Sequence, residues 1–597
     1  MVVAAFAASV VLLPRADVPI GDDWVYARSV WTLLDGGGLV IEDASVVTLV
    51  AQVVWGSLFA WLWEPTFVAL RYSTATAAAG GAVAVYLLCR LLGAGRSWAA
   101  VGAALWLFNP LNYVLANSYM TDSTFAALLA IAAYFYVRGL GGWCLGPPPA
   151  AERPVRGSAT SQRYRSDAGR PPRRAAPNAK DTTLLGVGVG VGWVVAGSAA
   201  SAVAFLVRQQ GLLIPLAVLA YLWLSRRSWG RAGRALVVPV AAVPALTAAL
   251  YWAWLALSHG VPGGQRMFSD ELSLIWRAQT PRFLGELAAV QLLYAGLFVL
   301  PVAAAAALAG PRLARGLPPR GRRWLIVVLG VVATGALALT VTGRYMPYVP
   351  QYLASWGLGP ADVQGGRPEV VSGLWLWVLT AVVVMATAVG AALVVRRLAG
   401  PEAPGGPGAG LLLVMLVAQA GGAVPASLHF QNPGGIMTIT MDRYLLPLLP
   451  LALCLAVWAA AGLRVPSWPA WGLVAVLAVV SVAGARDLLV LQRTIWEVAA
   501  AANRAGVEDR FMDAGAQWNG ERLHRDFDDL PPPDPERVWW LNLFAPQTDP
   551  QYVVSTLPLP GYVEVSTTTY RTWLPPRDNP LLFLRRDDVA PRPGAAP

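Results

Sequence analysis

Long apolar runs separated by short polar turns occupy most of this chain. Met1–Leu13, Phe67–Leu92, Trp98–Leu115 and Thr121–Arg138 come first. Leu184–Val207 and Gly211–Leu224 then form a hairpin whose tip is Arg208, Gln209 and Gln210. Seven more follow: Ala235–Leu257, a run that returns to Arg312, Trp324–Val341, a run ending at Arg396 and Arg397, Leu411–Leu428, Tyr444–Leu463 and Trp468–Gly484. Most approach the ~20 residues that cross a hydrocarbon core, so the pattern predicts about 13 membrane spans. Met1–Leu13 lacks a basic start and a cleavage site, and reads as a first span with a clipped beginning rather than a signal peptide.

The polar positions divide these spans between two sides. Residues 139–181 are rich in Pro and Arg and nearly free of apolar side chains after Leu145, the composition of a disordered loop, and their charge assigns them to the cytoplasm. With that loop inside, the Arg-rich turns at 226–234, 312–323 and 396–397 and Arg464 also fall inside, as does the amino terminus. The loop 14–65, the turn before Asp122 and everything after residue 485 then fall outside. Within loop 14–65, Trp24–Leu34 and Val46–Trp63 are amphipathic. The second mixes Trp55, Phe59, Trp61 and Trp63 with Gln52 and Glu64, as a helix at headgroup level does.

From Arg486 onward the pattern is no longer that of a membrane. Asp487–Ala505 has helical spacing and stops at Gly506, while Val538–Phe544, Gln551–Leu557, Gly561–Tyr570 and Leu581–Leu584 read as short strands between Pro-rich turns. The expected fold is therefore an α-helical polytopic membrane domain over 1–485, followed by a small C-terminal α/β extracytoplasmic domain over 486–597.

Composition narrows the function. With 56% hydrophobic and only 13% charged residues, the 597-residue chain is not a soluble protein. Its net charge of +11 comes from Arg in short cytoplasmic turns, a topology signal that implies no nucleic-acid partner. Cys89, Cys144 and Cys454 have no CxxC spacing, so neither a disulfide nor a thiolate metal site is expected. His259, His429 and Asp442 show no ligand spacing either. No cofactor is required; a divalent cation is possible, with no ligand set assigned.

Candidate chemistry gathers at the outer ends of the spans. Asp22 and Asp23 sit just beyond span 1, where a carboxylate is costly without a task or a partner. They read either as a general base and its neighbour or as the cap of the helix starting near Trp24. Asp122 opens span 4, suited to orienting a base, binding an acceptor or a cation, or capping the helix. Arg71, Arg208 and Arg443 lie at the outer boundary, where a guanidinium either forks onto a lipid-linked phosphate or snorkels to headgroups. Tyr444, Gln209 and Gln210 give Arg443 and Arg208 polar company.

Four motifs in this order, Gly21-Asp22-Asp23-Trp24-Val25-Tyr26-Ala27, Leu70-Arg71-Tyr72, Met120-Thr121-Asp122 and Arg443-Tyr444-Leu445-Leu446-Pro447-Leu448-Leu449-Pro450, resemble the GT-C glycosyltransferases. Within them the chain looks most like the lipid A aminoarabinose transferase and protein O-mannosyltransferase branch, over roughly residues 1–485. The resemblance implies inverting transfer of a sugar from a polyprenyl-phosphate carrier to a hydroxyl of an envelope lipid, glycan or protein. It implies the outer face of a bacterial-type inner membrane, Asp22 as the preferred base and Asp23 beside it. Asp-Asp departs from the commoner Asp-Glu pair, and the first span is short. Two rival classes remain. A transporter or lipid flippase places ionisable groups at the midplane on broken helices. An envelope scaffold has no converging site.

Overall fold

The computed structural model describes residues 1–144, 179–226, 235–278, 281–310, 319–400, 406–424, 428–432, 435–439, 441–463, 465–524, 530–532 and 534–590. The disordered loop expected at 139–181 lies largely outside the described residues. The preceding helix reaches Cys144 and the next begins at Ala179.

The chain is mostly helical. In the first half it forms α1 (Val2–Val11), α2 (Asp23–Leu34), α3 (Val50–Leu62), α4 (Phe67–Leu91), α5 (Arg96–Leu107), α6 (Pro110–Ala116), α7 (Thr121–Cys144), α8 (Ala179–Val207) and α9 (Leu213–Leu224). Then come α10 (Val237–Trp254), α11 (Gly263–Ala278), α12 (Pro281–Phe298), α13 (Leu300–Ala307), α14 (Pro319–Val341), α15 (Leu374–Ala399), α16 (Gly406–Gly422), α17 (Leu448–Ala461) and α18 (Trp468–Arg504). Among the described residues seven helices are long and apolar enough to cross a membrane, or nine if two bent pairs each count as one span. The other apolar runs read as spans are helices of 10–17 residues, so helix length alone does not reach thirteen.

The bent pairs have local causes. The first breaks between α5 and α6 by 60°. There Asn109 accepts hydrogen bonds from Leu111 N (3.1 Å) and Asn112 N (3.4 Å), and Pro110 starts a new helix. The second breaks by 70° at Val299, with Pro301 in the first turn of α13. Burial sorts the helices by depth: α17 is buried from Leu448 to Ala460, as expected of a helix apolar on every side. In contrast, α14 and α15 present Ile326, Val327, Leu337, Trp375 and Met385 outward, a lipid-facing surface.

The C-terminal region departs from expectation in two ways. One helix, α18, runs through residue 485 without a break, so the last apolar run and the first helix beyond it form a single element of 37 residues. At 1.5 Å per residue that is about 55 Å, well beyond a hydrocarbon core of ~30 Å. Secondly, Val538–Phe544, expected as a strand, is helical from Trp539 to Phe544 (α20, after α19 at Ala516–Leu523). Trp540, Leu541 and Phe544 are its buried positions, which is helical and not alternating spacing.

Four strands, β5 (Met512–Asp513), β6 (Tyr552–Ser555), β7 (Tyr562–Trp573) and β8 (Pro576–Arg586), form a sheet in the order β5-β6-β8-β7, with only β5 and β6 parallel. Upstream, the loop after α14 folds into a short hairpin, β1 (Leu353–Ala354) and β2 (Gly357–Leu358). This loop is stitched to the sheet: Thr556 N donates to Gln364 O at 3.1 Å, and Ser555 Oγ donates to the same carbonyl at 3.0 Å. A further hairpin joins β3 (Leu428–Asn432) to β4 (Gly435–Ile439).

Candidate functional site

Asp22 stands at the entrance to α2, after Gly21, whose φ of +60° suits a residue without a Cβ. Its Oδ2 accepts from Arg443 Nη1 at 2.8 Å. Arg443 belongs to the tight turn Asp442–Leu445 ahead of α17. The Tyr444 ring lies 5.3 Å from the Arg443 guanidinium and 5.6 Å from that of Arg208. Arg208, at the end of α8, is ion-paired with Asp122 in the first turn of α7. Residues 22, 122, 208 and 443–444, far apart in the chain, therefore form one run of contacts: Asp22, Arg443, Tyr444, Arg208, Asp122.

The other two sequence-predicted residues stand behind this run. Asp23 is fully buried, with Oδ1 accepting from Tyr119 N at 2.8 Å and Oδ2 from Ile20 N at 3.2 Å. Burial raises its carboxyl to about 7, opposed by Arg71 and the two amides. Arg71 donates to Ala16 O at 2.6 Å and to Val18 O. Together they pin the chain leading into α2 against α4 and the α6–α7 turn. Neither acid follows the capping alternative, since the N-cap of α2 makes no side-chain hydrogen bond to the helix.

Several buried polar atoms around the run have no hydrogen-bond partner among the described residues: Arg443 Nε, Asp122 Oδ2, Thr121 Oγ1 and the Tyr352 hydroxyl. Each such group costs ~1–3 kcal/mol unless something satisfies it. Unsatisfied donors and acceptors together around two guanidiniums and a carboxylate suit a polar ligand. The Asp22 side chain is 29% exposed and Arg443 10%, so this end of the run is the open one.

Sequence reasoning missed three contributors. Tyr352 aims its hydroxyl at Gly21, where a Cβ would collide with it. Burial holds that hydroxyl well above its ordinary pKa, so it remains a donor. Asp442, weighed above only as a metal ligand, is fully buried and accepts from Tyr352 N (3.0 Å) and Leu353 N (2.5 Å), fixing the loop that delivers Tyr352. Asp362 accepts from Gln517 Nε2 at 3.2 Å. Burial, and then the charge of Asp22, push its carboxyl up to about 7, against the pull of Arg443. It is a second carboxyl within the field of Asp22, contributed by the loop between α14 and α15. No spacing signal marks Asp362 in the sequence. Tyr26, one helical turn beyond Asp22, faces the same charges, and burial followed by the Asp22 carboxylate raises its hydroxyl.

The C-terminal region covers the back of α2. Trp24 packs against His524 and Phe544 at ring separations of 5.3 and 5.2 Å, and any Cβ on Gly520 would run into the Trp24 indole. Arg28 donates to the Glu521 carbonyl.

As for a cation, no three His, Cys, Asp or Glu side chains among the described residues are arranged to hold one. His259 accepts from Ile41 N at 2.8 Å, and the side chain of His429 lies outside the described residues.

No family model matches the chain, and no curated protein matches it. Among solved structures it is similar to ArnT from Cupriavidus metallidurans in the apo state, with 16% identity over 98% of this chain and 96% of that one and a TM-score of 0.36. It is also similar to the archaeal oligosaccharyltransferase AglB from Archaeoglobus fulgidus in complex with an inhibitory peptide and a dolichol-phosphate, with 14% identity over 85% of this chain and 58% of that one and a TM-score of 0.42.

Proposed function

We propose that this chain is a GT-C-like membrane glycosyltransferase that moves a sugar from a polyprenyl-phosphate carrier to a hydroxyl of an envelope lipid, glycan or protein at the outer face of the plasma membrane. The observation that carries the reading is the partly open Asp22 carboxylate held 2.8 Å from Arg443, at the end of a run that joins residues from three of the four motifs of the resemblance.

In this reading Asp22 is the general base. It takes the acceptor's hydroxyl proton as that oxygen attacks the anomeric carbon from the face opposite the phosphate, giving inversion. The bond from the anomeric carbon to the phosphate oxygen breaks, and polyprenyl phosphate leaves with its electron pair. Arg443, with Nε free, and Arg208 meet the growing phosphate charge, and the Tyr352 hydroxyl donates to the sugar or to the phosphate. Asp23 and Arg71 position Asp22 without touching substrate.

Broken helices belong also to transporters, and two are present among the described residues. At both breaks, Phe108–Asn109 and Val299, the chain carries no ionisable side chain, whereas the charged run ends on loops. That favours the enzyme.

The test is transfer of label from radiolabelled polyprenyl-phosphate sugars in membranes holding equal amounts of wild type and Asp22→Asn. Loss of transfer in a folded Asp22→Asn protein is expected. Equal transfer by both would remove Asp22 as base, and no transfer from any donor by the wild type would sink the enzyme reading.

A further inference from the structure

A cavity of about 230 Å3 lies apart from the Asp22 run, on the other side of the β1–β2 hairpin. Its walls are mostly apolar and come from four helices: Leu297 of α12, Leu300 of α13, Leu379 of α15 and Leu477 of α18. The lining is far more apolar than a sugar site requires, and the volume falls below the ~300–1,000 Å3 that encloses a drug-sized ligand. It has room for a segment of chain.

One end of this cavity is cationic. Arg367 donates to the carbonyls of Leu358 (2.6 Å) and Gly359 (3.1 Å), which are neutral acceptors, and among the described residues the only carboxylate acting on it is Asp487. Arg577 also lines the cavity, exposed and with no side-chain hydrogen bond or ion pair among the described residues. The acid beside them, Asp487, is already occupied: it accepts from Trp573 N and Leu574 N, both at 2.8 Å, and from Arg486 at 3.0 Å.

The surroundings say where an occupant would enter. On α18, Val476 and Val479 are 56% and 68% exposed and neighbour the lining Leu477. On α15, Trp375 is 68% exposed, one turn from the lining Leu379. Nearby, the end of β7 carries an exposed Trp573 beneath the Arg486 guanidinium, 4.8 Å from its ring, the pairing of an interfacial anchor. A lipid-facing surface thus runs into an apolar cavity that has cations at its polar end.

We propose that this cavity seats an anionic membrane phospholipid, with an acyl chain between α12, α13, α15 and α18 and the phosphodiester against Arg577 and Arg367. The proposal rests on the chain being a membrane protein and stands whether or not the chain transfers sugars. Leu353 lines the cavity, while Tyr352 beside it turns toward Gly21, so a seated lipid braces the wall shared with the Asp22 run.

The experiment is native mass spectrometry of the full chain in a non-ionic detergent with added phosphatidylglycerol, phosphatidylcholine or polyprenyl phosphate. A single phosphatidylglycerol adduct is expected, retained more strongly than phosphatidylcholine. Arg577→Gln, at an exposed position, should weaken that adduct about fivefold, the share of one basic side chain, and leave phosphatidylcholine unchanged. Leu477→Trp should fill the cavity and remove the adduct, with circular dichroism confirming the fold, and Arg443→Gln should leave it intact. Phosphatidylglycerol adducts unaffected by Arg577→Gln would overturn the proposal. So would polyprenyl phosphate displacing phosphatidylglycerol and losing retention in the same variant, because the occupant would then be the carrier.

Discussion

Asp22 keeps part of its carboxylate open and leans on a guanidinium 421 residues further along the chain, whereas Asp23, the next residue, is sealed and gives both oxygens to backbone amides. Asp22 stands at the N-cap position of α2 and Asp23 is its first residue, and the two diverge, one facing the polar run and the other facing α4 and the α6–α7 turn. An acidic pair in a loop thus need not be a catalytic pair. In this fold one acid is partly open beside a guanidinium and the other is sealed against backbone amides.

The sharpest way to break that comparison is to remove each charge in turn. Asp22→Asn should lower transfer by about 10²- to 10⁴-fold, the usual worth of a positioned general base, with little change in the thermal midpoint. Equal losses of transfer and stability would make Asp22 structural as well. Asp23→Ala should do the reverse, costing ~2–4 kcal/mol of stability by leaving the buried Tyr119 and Ile20 amides without their acceptor, as read by unfolding in detergent. A folded Asp23→Ala protein of wild-type midpoint would contradict the buttress. A smaller effect is expected from Arg443→Lys, which keeps the charge but loses the fork. Transfer should fall about 10- to 100-fold, and no loss would mean that Arg443 serves only to position Asp22.

The smallest effect is on pH dependence. Burial raises the Asp23 carboxyl from 3.8 to about 7 in the folded chain. The folded state therefore holds this proton more tightly than the unfolded one. The resulting stability is fully present below about pH 4 and is lost as pH rises through about 7. Asp442 and Asp362 act in the same direction, so Asp23→Asn should make the decline shallower without abolishing it. Thermal midpoints measured from pH 4 to 8 would show this, and parallel curves for the two proteins would refute it.

The sequence made the helices and the polar ends of the spans legible because apolar periodicity and Arg placement are strong, local signals. It could also bring Asp22, Asp122, Arg208, Arg443 and Tyr444 to one side. It could not separate Asp22 from Asp23, because orientation around a short amphipathic helix depends on what packs there, here Tyr119 and Arg71. Asp362 and Tyr352 were hidden for a related reason: they sit in a loop whose course is set by Asp442 and by contacts with a sheet some 190 residues later. Trp539–Phe544 looked like a strand because aromatic content suits both structures, and burial against α2 selects the helix.

The continuous α18 couples the region beyond residue 485 to the bilayer. With no joint at residue 485, any tilt of the buried part of this rod is passed to the sheet and to the helices lying on α2. For ~30 Å of projecting helix, 10° of tilt moves the far end by about 5 Å. Helices tilt to match the thickness of the hydrocarbon around them. Membrane thickness thereby becomes a mechanical input to the geometry beside Asp22, delivered by a rod rather than by a ligand.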